Sequence, residues 1–211
     1  MHDFWQFVTD LGDSAVTLPL AALMLLFLLL SNWQRAAAAL AVSLVAGGLA
    51  IALLKLALQS CGYHLLQTTL INPSGHVAMS TMVYGALAIL LGGAHSGWRR
   101  AAVHGVFALL IGGIALSRLT LHVHNPGEVL AGLAVGVGAL VLYRQLRGAI
   151  PPVPLKVSRL ALSALLLMSL MHGARWPIED EIRSLVALIR AGVPGCTIAL
   201  ESLTNALNQN T

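Results

Sequence analysis

The chain has 211 residues, of which 57% are hydrophobic and only 9% charged, a balance that excludes an ordinary soluble domain. Twelve Lys and Arg against eight Asp and Glu leave a net charge of +4, but nothing like a nucleic-acid patch appears, so no nucleic acid is expected as a partner. Two cysteines, Cys61 and Cys196, are too few for a disulfide framework and lack metal-ligand spacing.

The expectation is an integral membrane protein, and the elements follow in chain order. The opening Met1-His2-Asp3-Phe4-Trp5 has no basic stretch and does not read as a cleaved signal peptide. In residues 3–13, Phe4, Trp5, Phe7, Val8 and Leu11 share roughly one helical face, with Asp3, Asp10 and Asp13 elsewhere. That pattern suits a short interfacial helix with an aromatic anchor. Residues 14–31 carry no charge and are long enough to span, with Pro19 tolerable near their start. Arg35 closes a short turn before a second span, 36–58, in which Gly47 and Gly48 permit close helix contact and Lys55 sits near the far end.

Residues 59–74 are a polar-leaning connection that ends in Asn72-Pro73-Ser74. A third span, 75–94, is followed by Arg99 and Arg100, and a fourth, 101–117, reaches Arg118. The loop 119–125 leads into a fifth span, 126–146, opened by Pro126 and ended by Arg144 and Arg147. A proline-rich linker precedes a sixth, 157–174. The predicted fold is therefore all-α: a six-transmembrane-helix bundle over residues 1–176, followed by an amphipathic tail, 177–211. In that tail Ile178, Ile182, Leu185, Val186 and Ile189 recur at helical spacing opposite Glu179, Asp180, Arg183 and Arg190. This suits a helix lying on the membrane surface or packed on the bundle end.

Charge sets the expected topology. The 1–2, 3–4 and 5–6 loops carry Arg35, Arg99, Arg100, Arg144, Arg147, Lys156 and Arg159 and no acidic residue. All eight acidic residues fall on the other side. The positive-inside rule puts that side, and both termini, outside the cytoplasm, as in a bacterial plasma-membrane protein facing the periplasm. Two polar islands lie there, Asn72 to His76 and Ser117 to Glu128, and ionisable residues at such a depth are functional candidates. Cys61 and Cys196 also fall on that side, where a disulfide between them would clamp the tail across the mouth of the bundle.

The islands suit an anionic oxygen cluster. Span three begins just after Ser74, so its free N–H groups would face such a ligand. Arg118 can fork onto two phosphate oxygens and Lys55 adds a point charge. Two histidines in one anion site allow one to attack phosphorus while the other protonates the leaving oxygen. Other readings coexist: Asn125-Pro126-Gly127-Glu128 is also a helix capping box, Ser74 an N-cap, and Lys55 a side chain that snorkels. His122 and His124 would also form a metal or haem pair, without a partner carboxylate or cysteine spacing to support it.

Pro73-Ser74-Gly75-His76, followed by Ser117-Arg118, five residues, His124, three residues and Glu128, resembles two signatures of the type-2 phosphatidic acid phosphatase superfamily. These are six-span membrane lipid phosphatases with relatives among vanadium haloperoxidases and soluble acid phosphatases. The resemblance implies that His124 is a nucleophile forming a phosphohistidine and His76 the general acid. It further implies that Lys55, Ser74, Gly75 and Arg118 bind phosphoryl oxygens, and that no metal or other cofactor is required. The chain departs from the family pattern twice. Glu128 stands where Asp is usual, and Lys55 is followed after six residues by Gly62-Tyr63 rather than Arg-Pro. Gln59, Tyr63, His64 and His122 are the candidates to replace that arginine. The implied activity is hydrolysis of a lipid mono- or diphosphate such as undecaprenyl diphosphate, phosphatidylglycerophosphate or phosphatidic acid. A lipid phosphotransferase of the same fold and a non-catalytic lipid-phosphate binder or transporter are the alternatives.

Overall fold

A computed structural model describes residues 2–59, 72–148 and 154–192. Cys61, Cys196, Tyr63 and His64 lie outside the described residues. The architecture is all-α: α1 (His2–Asp10), α2 (Ser14–Leu30), α3 (Gln34–Ala57), α4 (Gly75–Gly92), α5 (Gly97–Thr120), α6 (Pro126–Leu146), α7 (Pro154–Met171) and α8 (Ile178–Gly192). Five stretches are long and apolar enough to cross a membrane: residues 2–30, 34–57, 75–92, 97–120 and 126–146. Large apolar side chains such as Leu30, Leu53, Leu109 and Leu130 are exposed on the outside of the bundle, as expected where lipid rather than water is the solvent.

Three helix starts follow capping chemistry. Asp13 caps α2 through Ala15 N–H, Ser74 caps α4, and Asn125 opens α6 with a complete capping box and Pro126 in its first turn. Two boundaries differ from the sequence expectation. The N-terminal helix stops at Asp10, because residues 11–13 form the tight turn that Asp13 caps. The fourth span is longer than expected, so Arg99 and Arg100 lie in its first turn and Arg118 in its last. Pro19 sits inside α2, beyond the first turn, and the helix runs through it.

Helix α4 is the centre of the bundle. Val77, Ala78, Val83, Tyr84, Ala86 and Leu87 are all buried, and α2, α3, α5, α6 and α7 pack around it. Close approach is set by glycines on specific faces. A Cβ on Gly47 would stand 3.0 Å from Ala139 Cβ and collide with Met82 Sδ, whereas one on Gly48 would meet nothing within 4 Å. Of the expected Gly47–Gly48 contact pair, only Gly47 is at the helix interface. The buried hydroxyl of Tyr84 donates to Leu11 O at 2.6 Å, tying the α1–α2 turn to the central helix. In that turn a Cβ on Gly12 would stand 2.7 Å from Ile114 Cγ2 and 3.0 Å from Ser80 Oγ, so only glycine lets it wedge between α4 and α5. Helix α8 packs on α3 with Val186 buried, while Leu185 and Leu188 stay exposed.

Candidate active site

The α5–α6 loop is built around one carboxylate. The backbone N–H groups of Val123 and His124 both return to Arg118 O, at 3.2 and 3.3 Å, curling the chain back at the end of α5. Two residues earlier His122 adopts a left-handed backbone, φ 54°, that ends the helix. Glu128, at the third position of α6, then accepts from Asn125 N–H at 3.1 Å and from His124 Nδ1 at 3.0 Å with the same oxygen, Oε2. Its other oxygen, Oε1, accepts from Asn72 N–H at 2.7 Å. One oxygen of Glu128 thus both closes the capping box and contacts the His124 ring. With Nδ1–H donated to a carboxylate, the lone pair of His124 is on Nε2.

His124 is 5% exposed and Glu128 8%. Burial, the largest influence, lowers the His124 pKa; the Glu128 hydrogen bond opposes this, and the like charges of Arg118 and Lys55 reinforce it. The net direction is down from the ordinary histidine value. Burial thus favours the neutral ring, and Glu128 orients it.

The second island meets the first across helices α4 and α6. Ser74 N–H donates to Glu128 O at 3.0 Å, and Ser74 Oγ accepts from Val77 N–H at 3.5 Å. This approach requires Gly132, where a Cβ would collide with Ser74 O. Lys55 is 2% exposed, so it does not snorkel to water, and a Cβ on Gly75 would stand 3.6 Å from both its Cε and its Nζ. The positive charges of Lys55 and Arg118 act on His76 as well as on His124. The structure thus gathers Lys55, Ser74, Gly75, His76, Arg118, His124 and Glu128 at one end of the bundle.

Two contributors come from the N-terminal segment. Asp13 Oδ2 lies 3.5 Å from His76 Nε2, and Thr9 Oγ1 accepts from Arg118 Nη1 at 3.0 Å. Neither role is legible in the sequence. In the sequence Asp13 is one of three acids off the apolar face of the expected interfacial helix, and the one available signal is its capping position before an uncharged run.

A cavity of about 250 Å³ opens beside these groups. Its lining combines Asp13, Lys55, Gly75 and His76 with the apolar side chains of Leu18, Ile51, Ala52 and Met79 from α2, α3 and α4, and of Trp176, Ile178 and Ile182 from the C-terminal segment. His124 is not among the lining residues.

Of the residues considered for the missing arginine, Gln59 donates its amide to Asn72 Oδ1 at 2.6 Å, buttressing the backbone that holds Glu128. His122 is exposed, whereas the His124 side chain is buried.

Residues 36–151 match the model of the PAP2 superfamily, just over half of the chain. The chain is also 32% identical over 192 residues to a Klebsiella pneumoniae protein described as an uncharacterized 22.5 kDa protein in the cps region, covering 88% of this chain and 91% of that one. No solved structure matches it.

Proposed function

The chain belongs to the PAP2 superfamily, and from that premise we propose that it is a membrane-embedded phosphatase acting on a lipid mono- or diphosphate through a phosphohistidine. The observation that carries the reading is the cavity. Its lining brings Lys55 and the first turn of α4 at Gly75, beside Asp13 and His76, together with apolar side chains of α2 and α3, so it suits an amphiphile with an anionic head and a hydrocarbon chain.

The cavity also supports an allocation of roles. In phosphoryl transfer the attacking and leaving atoms lie roughly in line across phosphorus. His76 lines the cavity that would receive the lipid alcohol and His124 does not, so His76 is on the leaving-group side. His124 Nε2 forms a bond to phosphorus as the P–O bond to the lipid breaks, and His76 gives its proton to the departing oxygen. Water then gives a proton back to His76 as its oxygen bonds phosphorus and the P–N bond breaks, releasing inorganic phosphate. Lys55, Arg118 and the N-terminal backbone of α4 at Ser74 and Gly75 bind the non-bridging oxygens, and Glu128 supports the positive charge that develops on His124.

We place the site on the non-cytoplasmic face, because the arginines at the start of α3, the start of α5 and the end of α6 lie at the opposite helix ends. Helix α7, apolar from Ser158 to Met171, is assigned as the sixth span.

The deciding experiment is phosphate release by purified protein across a panel of lipid phosphates, wild type beside His124→Ala. Release by the wild type alone is expected. Equal release by a folded His124→Ala protein rules out this mechanism.

A further inference from the structure

The phosphatase reading leaves one carboxylate without a role. Asp13 caps α2 with Oδ1, which accepts Ala15 N–H at 2.8 Å and lies 3.4 Å from Trp176 N. Capping needs only that oxygen. The other, Oδ2, faces His76 Nε2 at 3.5 Å inside the cavity. We propose that Asp13 is the positioning residue of the general acid, its Oδ2 holding Nε2–H of His76 so that the protonated ring offers Nδ1–H to the leaving oxygen. The proposal rests on the phosphatase reading.

Three observations support it. The backbone that carries the carboxylate is held by tertiary contacts, and its Oδ1 is fixed by the cap: Tyr84 donates to Leu11 O at 2.6 Å, Gly12 is wedged against Ile114 and Ser80, and Ala15 N–H donates to Oδ1 at 2.8 Å. A group held this way loses little freedom when the histidine charges. The same short segment supplies Thr9 to Arg118, so the α1–α2 junction touches both the acid histidine and the guanidinium. Electrostatics give the third. An acid must carry a proton in a cavity that Lys55 also lines, and Asp13 is the carboxylate in contact with the His76 ring. The arrangement parallels Glu128 on His124, one carboxylate per histidine.

The protons balance. In the first half-reaction Nδ1–H moves to the oxygen of the breaking P–O bond, leaving a neutral ring with Nε2–H on Asp13. In the second, Nδ1 takes a proton from the attacking water and the imidazolium is restored. Asp13 neither gains nor loses a proton.

The test varies the leaving group. Full-length protein in detergent is given a long-chain alkyl phosphate, whose alkoxide needs a proton, and a nitrophenyl phosphate carrying the same chain on its ring, whose phenolate leaves without one. Asp13→Asn and Asp13→Ser both retain a capping oxygen and remove the charge. With either variant, kcat/KM on the alkyl phosphate, which reports the steps up to leaving-group departure, is expected to fall by roughly tenfold to a hundredfold, part of what general acid catalysis contributes. On the aryl phosphate kcat/KM changes less than about threefold. Equal losses on the two substrates would indicate a structural role and overturn the assignment, as would no loss on either in a folded variant. A wild type that releases phosphate from neither substrate overturns the phosphatase reading and this inference with it.

Discussion

Glu128 holds His124 at 3.0 Å through the same oxygen that closes the capping box of α6, so helix initiation and imidazole orientation depend on one atom. All three donors around the carboxylate, Asn72 N–H, Asn125 N–H and His124 Nδ1–H, need an acceptor. Glu128→Gln offers one acceptor oxygen and turns an NH₂ group toward at least one of them. The expected result is a kcat reduced by roughly a hundredfold or more, as when other catalytic histidines lose their orienting carboxylate. A stability loss of about 1–3 kcal/mol from the unsatisfied contact accompanies it. Glu128→Gln turnover within about threefold of wild type would show that the carboxylate serves the helix alone. Steady-state kinetics and thermal unfolding of one sample read both effects.

The buried ring of His124 gives a pH prediction with a definite sign. Its folded pKa lies below the ordinary value of about 6.5, first because burial disfavours the charged form. As pH falls through about 6.5 the unfolded chain takes up the proton before the folded one does. His124 therefore lowers stability progressively from there down to its folded pKa, and contributes no such loss above 6.5. Histidine-ring NMR, with the resonance assigned by its absence in His124→Ala, should place the midpoint below 6.5. A midpoint at or above that value contradicts the burial argument.

Helix spacing behind the site rests on Gly132. A methyl group there would collide with Ser74 O and force α6 away from α4, disturbing the Ser74 N–H to Glu128 O bond of 3.0 Å. Gly132→Ala is expected to cost about 1–3 kcal/mol, the usual penalty for overpacking. It should also lower kcat/KM by about tenfold or more, since small misplacements at a reacting centre have large effects. Gly138→Ala, on the same helix with nothing within 4 Å of the added carbon, is the control and should be neutral in both assays. Equal effects at the two positions would remove the packing explanation.

The apolar lining of the cavity predicts selectivity by chain length. Ala52→Phe fills space beside Ile51 and Met79, where the proposed hydrocarbon lies. Activity on a sixteen-carbon alkyl phosphate should fall at least about tenfold, equivalent to about 1.4 kcal/mol of lost binding, while activity on ethyl phosphate stays within about twofold of wild type. Parallel loss on both substrates would mean that the cavity does not receive the chain.

The amino-acid sequence by itself determined whatever is local. Long uncharged runs can satisfy their backbone only as helices in lipid, so the five long apolar helices were legible from composition and length. Asn125, Pro126 and Glu128 define a helix start at fixed offsets, and His124 falls four residues before Glu128, within reach of it by helix geometry. Ser74 reads as an N-cap for the same reason. Tertiary structure alone decided that Asp13 faces His76, that Thr9 meets Arg118, and that Asn72 N–H reaches Glu128. Each of these pairs comes from distant parts of the chain, brought together by which apolar faces pack. The faces of α2 and α4 are nearly uniform in hydrophobicity, so no periodic signal marks the inward side. The choice is made by small steric features, Gly12 against Ile114 and Gly132 against Ser74, and a glycine's neighbours cannot be read from its position in a sequence.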